Sequence, residues 1–307
     1  MSAHTRNTLL LVLCALIWGT AFSAQSMGAG LGAFTFLACR SWLALAVLIP
    51  AVFFFDRYRE KHGLPDERPI TSSSRRLLLR GGVICGLFLF GASFAQQFAI
   101  TLHASTAKAG FITAMYVVLV PLLGLLLGRK SSLQLWFCAA VSLLGLYLLC
   151  MSGGFEAVQA SDLILLCCAL LFAMQIMAVD RFSPRTDGVR LSLVQFCTTA
   201  VCSTIAALLL EHPSLSDILS NAGAIAYCGI FSSGIAYTLQ ILGQKDLDPT
   251  IASLAMCLES VFAALSGFLL LHQTLTLREA AGCALIFLAV VLSQIPVGRF
   301  RFHKPRT

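Results

Sequence analysis

The chain has 307 residues, 58% of them hydrophobic and only 11% charged, and its mean hydropathy is +0.86. Soluble domains carry about 25% charged residues, so an ordinary soluble fold is excluded. The net charge of +7 lies in short clusters between apolar runs, a pattern of membrane topology and not of a nucleic-acid-binding patch.

A membrane-spanning helix needs about 17–25 mostly apolar residues. Taken in chain order, the apolar runs predict ten spans, at 8–27, 33–55, 81–101, 105–128, 132–151, 161–180, 190–210, 221–243, 250–271 and 278–296. The first run lacks a small-x-small cleavage site followed by a polar region, so it is read as a retained span. The one long connection, 56–80, contains Pro65, Pro69 and Thr71-Ser72-Ser73-Ser74. It is polar and basic, and is expected to be a mobile cytoplasmic loop. Residues 297–307 read as a short basic cytoplasmic tail. The expected fold class is all-α integral membrane, with ten transmembrane helices divided between residues 1–152 and 153–296.

Charge orients these spans. With the N-terminus in the cytoplasm, all but three of the 21 basic residues fall in inside segments. The exceptions are Arg40, Lys108 and Arg278. Glu156, Asp162, Glu211, Asp217 and Glu279 fall outside. Adding or removing one span would scramble this separation, so the positive-inside rule supports ten spans with both termini cytoplasmic.

A repeat is visible within the chain. Cys85-Gly-Leu-Phe-Leu-Phe-Gly91 returns as Cys228-Gly-Ile-Phe-Ser-Ser-Gly234. At the same offset Gln97 matches Gln240, Ala109 matches Ala252, Val118 matches Val261 and Gly124 matches Gly267. Five spans separate the copies. Five is odd, so the copies are expected to run in opposite directions, as an inverted repeat with a binding site at the interface of its halves.

Ionisable groups inside spans are costly and are functional candidates by default. Glu259 lies about ten residues into the ninth span, near mid-membrane at a rise of about 1.5 Å per residue. It reads as a proton-coupling or amine-binding group, or as a neutral acid that anchors helices. Lys108 could attract an anion or reach to the outer interface. Arg40 reads as a structural clamp or, secondarily, a substrate contact. Gln96, Gln97, Gln240 and Gln175 are uncharged amides within spans, and Trp18 and Tyr116 join them; Tyr116 occupies the repeat position of Glu259. Each alone could simply tie helices together. As a set they suggest a lined cavity, with Trp18, Gln97, Tyr116, Gln240 and Glu259 as the substrate-binding residues. Pro121 and the many glycines suggest bends and close helix crossings.

The twelve cysteines form no C-x-x-C or Cys/His cluster and fall almost wholly inside apolar runs, where cysteine packs as a small hydrophobe. No metal site is expected. The six histidines are isolated, and no Walker lysine, H-E-x-x-H or G-x-S-x-G motif occurs. No cofactor is expected and no catalytic residue is assigned.

Several stretches together resemble the drug/metabolite transporter superfamily, in its ten-span EamA branch. They are Ala15-Leu-Ile-Trp-Gly-Thr20, Arg40, Ser105-Thr-Ala-Lys-Ala-Gly-Phe-Ile-Thr113, Tyr116-Val-Val-Leu-Val-Pro121 and Leu258-Glu-Ser-Val-Phe-Ala-Ala-Leu265. The resemblance implies two inverted five-helix EamA repeats, with spans 1, 3, 4, 6, 8 and 9 around a central cavity and spans 5 and 10 peripheral. Two departures stand out. Ser260 replaces the usual proline after the ninth-span glutamate, which puts a kink there in doubt. His272-Gln273 stands where the family often has Gly-Glu.

The expected function is secondary active transport of a small metabolite, amino acid or drug-like solute across the bacterial inner membrane by alternating access, coupled to protons and directed outward. The expected partners are a small molecule, the lipid bilayer and protons, for a monomer or homodimer that binds no nucleic acid. The alternatives are a membrane enzyme on a lipid-linked substrate, which would need a dyad or metal cluster, and a non-transporting receptor, which would need a soluble domain.

Overall fold

A computed structural model describes residues 3–63, 65–102, 106–129, 131–151, 159–271 and 276–295. The described residues contain no strand. The helices are α1 (Ala3–Met27), α2 (Ala33–His62), α3 (Ser72–Thr101), α4 (Thr106–Ala114), α5 (Tyr116–Leu126), α6 (Leu133–Cys150), α7 (Ala160–Phe182), α8 (Gly188–Leu210) and the short α9 (Leu215–Ser220). Then come α10 (Ala222–Tyr227), a π-helical segment (Cys228–Ala236), α11 (Tyr237–Gln244), α12 (Pro249–Met256), α13 (Leu258–Leu271) and α14 (Leu277–Ser293).

Among the described residues, nine helical segments are long and apolar enough to cross a membrane. Three of them are composite. The α4–α5 pair is interrupted at Met115, α10 joins α11 through the π-helical segment, and α12–α13 is interrupted at Cys257. The tenth expected span corresponds to α14, whose 17 residues make it shorter than the nine. The long connection is mostly helical instead of loop-like, because α2 runs on to His62 and α3 starts at Ser72. Arginines and glutamates at those positions are good helix formers and extend the spans beyond their apolar runs.

Six helix starts are capped by the side chains that precede or open them, which satisfies otherwise orphan amides. Thr71, Ser132, Asp187 and Asp248 accept from the first turns of α3, α6, α8 and α12. Gln159/Asp162 and Thr276/Glu279 form capping boxes on α7 and α14. The start of α2 is satisfied from a distance. Glu211, just past α8, accepts from the backbone amides of Phe34 and Thr35 at 2.9 and 2.8 Å. That pins one end of α8 to one end of α2.

Contacts between helix ends give the relative directions. Gln134 at the start of α6 donates to carbonyls of Leu292 and Ile295, and Arg278 at the start of α14 donates to the Met151 carbonyl. The two helices are therefore antiparallel. Asn7 donates to the Lys245 carbonyl and Trp18 to that of Ser232, so α1 runs against the α10–α11 span. Helices α2 and α8 are also antiparallel, joined by Glu211–Thr35 at one end and Arg59–Asp187 at the other.

Small residues permit these approaches. A Cβ on Gly145 would stand 2.8 Å from the Gly282 carbonyl, and one on Gly282 would stand 2.6 Å from that of Gly145. A Cβ on Gly19 would stand 2.6 Å from the Glu259 carbonyl, so α1 and α13 touch almost backbone to backbone.

One end of the bundle gathers the ion pairs. Asp187 takes Arg59 at 2.5 Å and Arg190 at 3.3 Å, and Arg190 also takes Asp56 at 2.6 Å. Glu67, in the short connection between α2 and α3, pairs with both Arg59 and Lys245 at 3.0 Å. The connection is thus tied to α2 and to the end of α11. Beside Glu67, Arg68 bonds Asp66 and holds its exposed carboxyl below the usual carboxylate range.

Candidate functional site

A cavity lies among α1, α2, α3, the α4–α5 span, α7, the π-helical span and the α12–α13 span. Its apolar walls are largely aromatic: Trp18, Phe22, Phe172 and Tyr237. Trp18 packs on Tyr237 with ring centroids 4.7 Å apart. The polar groups converge from different helices, as they do in ligand sites.

Several of the polar groups are held by side-chain hydrogen bonds. Glu259, only 5% exposed, lies on the first turn of α13. Its Oε1 accepts from the Tyr116 hydroxyl at 3.1 Å. Gln175 donates to Gln195 at 3.0 Å, and Gln240 donates to Gln175 at 3.0 Å, which makes a buried amide chain beside the cavity. Gln96 donates to Thr113 at 3.4 Å. Arg40 donates through Nε to Ser233 Oγ at 2.9 Å and through Nη2 to Ser232 Oγ at 3.2 Å.

The cavity sits away from the ion-paired end. Its walls come from the last turns of α1 (Trp18–Gln25), the first third of α2 (Arg40) and the last third of α3 (Ser93, Gln96). Between it and the ion pairs lies packed apolar core that includes Leu11, Val117, Val120, Met177, Leu254 and Ala255.

Of the five residues expected to bind substrate, the structure brings Trp18, Tyr116, Gln240 and Glu259 together around this space. Gln97 is not among the lining residues. It is buried, and neither end of its amide has a partner among the described residues. Its neighbour Gln96 faces the cavity instead, about 100° round the helix. Arg40 lines the cavity, bound to two serines and to no carboxylate among the described residues. The side chain of Lys108, and all of His272-Gln273 and the tail 297–307, lie outside the described residues.

Sequence reasoning did not single out Gln25, Thr113, Ser232 and Tyr237 as lining residues. Thr113 was within reach of it, three residues before Tyr116 and so on the same helix face. Ser232 was not, because it depends on the π-helical turn. The helix interruption at Cys257, by contrast, is present although Ser260 stands where the family has proline.

The family model for EamA-like transporters matches residues 6–151 and again residues 159–294. An uncharacterized transporter of Archaeoglobus fulgidus is 25% identical over 293 residues, 94% of this chain and 85% of that protein. The uncharacterized inner membrane transporter YedA of Escherichia coli K12 is 23% identical over 296 residues, 94% of this chain and 89% of that protein. A solved crystal structure, 24% identical, superposes with a TM-score of 0.73 over 94% of this chain and 96% of the other. At that identity it speaks to the fold alone.

Proposed function

The chain belongs to the EamA-like transporter family, and from that premise we propose that it is a secondary active transporter for a small organic solute. It works by alternating access in the bacterial inner membrane. One observation carries this reading: a central cavity lined by aromatic and polar groups, with the buried carboxyl of Glu259 in its wall. A carboxyl group kept at such depth is costly unless it has a role.

In this reading α14 is the tenth span, and the two halves are inverted repeats with both termini in the cytoplasm. The ion-paired end is the cytoplasmic face, since it holds the basic residues of α2, α3 and α8. The described arrangement then corresponds to a state closed toward the cytoplasm by the apolar core and by the Arg59–Asp187 and Glu67–Lys245 pairs. Transport requires these contacts to part while the opposite end closes.

Trp18, Tyr116, Gln240 and Glu259 contact the solute, and Glu259 exchanges a proton with it or in step with it. The prevailing direction is export. A metabolite screen that compares cells with and without overexpression tests the reading. A native solute redistributed between cells and medium is the expected result, and unchanged partitioning of every solute would contradict it.

A further inference from the structure

We infer that Arg40 is the specificity-determining residue of the cavity, and that it binds the carboxylate of a small solute with an apolar or aromatic body. The inference rests on the transporter reading above and adds to it the chemical class of the cargo.

The first observation is the partner set of Arg40. A buried guanidinium is normally matched by a carboxylate, because an unmatched buried charge is costly. Arg40 is 5% exposed and pairs with no carboxylate among the described residues. It holds only two neutral hydroxyls, which orient the fork through Nε and Nη2 and leave Nη1 without a bond to them. A fixed guanidinium with donors to spare suits one carboxylate.

The second observation is the backbone that presents those hydroxyls. In the first copy of the repeated frame, Cys85–Gly91, the helix is regular. In the second, Cys228–Gly234, it widens into a π-helix. π-helical turns are rare and cluster at functional sites. This one contributes Ser232 and Ser233 to Arg40, and its Ser232 carbonyl accepts from Trp18 Nε1 at 3.3 Å. The charge and the largest aromatic wall are therefore set by the same turn.

The third observation is asymmetry between the halves. Gly229 packs against the Arg40 carbonyl and Gly86 against the Gln195 carbonyl, so Arg40 and Gln195 hold corresponding places. Gln195 is fully buried and bonded to Gln175. A clamp needed for packing alone is met there by a neutral amide. The positive charge stands only on the half where the side chain opens to the cavity. Arg40 is the one cation on the cavity wall among the described residues, whereas a phosphate dianion calls for a basic cluster.

The test uses purified full-length protein in lipid nanodiscs and two probes that differ only at the carboxyl group, L-phenylalanine and L-phenylalaninamide. Wild type is expected to bind the acid at least about tenfold more tightly than the amide, the worth of a charge-assisted hydrogen bond. R40Q is expected to bring that ratio close to one, and R40K to keep part of it. The double variant S232A/S233A keeps the charge, so it weakens binding but preserves the preference. If R40Q does not fold, R40K and the serine variant carry the comparison. A structural role predicts equal loss for both probes with the ratio intact. That result, equal affinity in wild type, or binding of neither probe would overturn the inference. Counterflow of L-phenylalanine in liposomes reports on transport separately. Selective binding without flux would remove the transporter reading and leave the role of Arg40 standing, whereas flux without selection would do the reverse.

Discussion

Tyr116 and Glu259 hold the same position in the two copies of the repeat, 143 residues apart, and their side chains meet at 3.1 Å. The contact joins α5 and α13 where each begins, just after the interruptions at Met115 and Cys257. A strictly symmetric protein would carry the same residue twice. Here one copy supplies a phenol and the other a carboxyl, a donor and an acceptor in one hydrogen bond.

Removing the phenol should leave the carboxyl short of a donor. Y116F is expected to lower stability by about 1–2 kcal/mol, the usual cost of an unmade buried hydrogen bond. Denaturant unfolding in detergent micelles measures this, and the variant should still fold. Unchanged stability would mean that the bond contributes nothing.

The glycine crossings should resist enlargement. G282V places a side chain where the Gly145 carbonyl already stands, and G19V does the same against the Glu259 carbonyl. Overpacking of this kind costs about 1–3 kcal/mol. G223V adds a side chain at a helix position with no neighbour within 4 Å and serves as the control. Thermal unfolding should rank G282V and G19V well below the control.

Asp187 should be the keystone of the ion-paired end. Its buried carboxylate accepts from Arg59 and Arg190 and also caps α8. D187A removes all three contacts and is expected to cost about 2–4 kcal/mol, less than a wholly buried pair because both arginines are partly exposed. D187N retains the cap and should cost less. Equal losses in the two variants would assign the whole effect to the ion pairs and none to the cap.

Ser260 should accept proline. It lies in the first turn of α13, where a missing amide hydrogen is tolerated, and the helix is already interrupted at Cys257. S260P is expected to stay within about 1 kcal/mol of wild type, because it removes only the 3.2 Å bond to the Cys257 carbonyl. A larger loss would show that this single bond carries the turn.

Most of the architecture was legible in the sequence, since apolar runs of span length have few alternatives in a chain this hydrophobic. The carboxyl of Glu259 and its match to Tyr116 were legible too, from depth and from the repeat. The limits have physical causes. The repeat equates Gln97 with Gln240, yet only Gln240 reaches the cavity, because sequence equivalence does not force equal packing in the two halves. Gly229 and Gly234 match Gly86 and Gly91, so nothing local distinguishes the π-helical copy from the α-helical one. The position of Arg40 in the cavity follows from that unreadable turn. The helical extension of α2 to His62 was hidden by its charge, which reads as loop when only apolarity is counted.

The most direct measurement is solute accumulation in liposomes with and without an imposed pH difference, for wild type and E259Q, with the solute that the partition screen yields. Wild type should accumulate solute only when the pH difference is present. E259Q should retain exchange of solute down its own gradient and lose the response to pH. If E259Q keeps the full response, Glu259 is not the coupling group and the central claim is wrong.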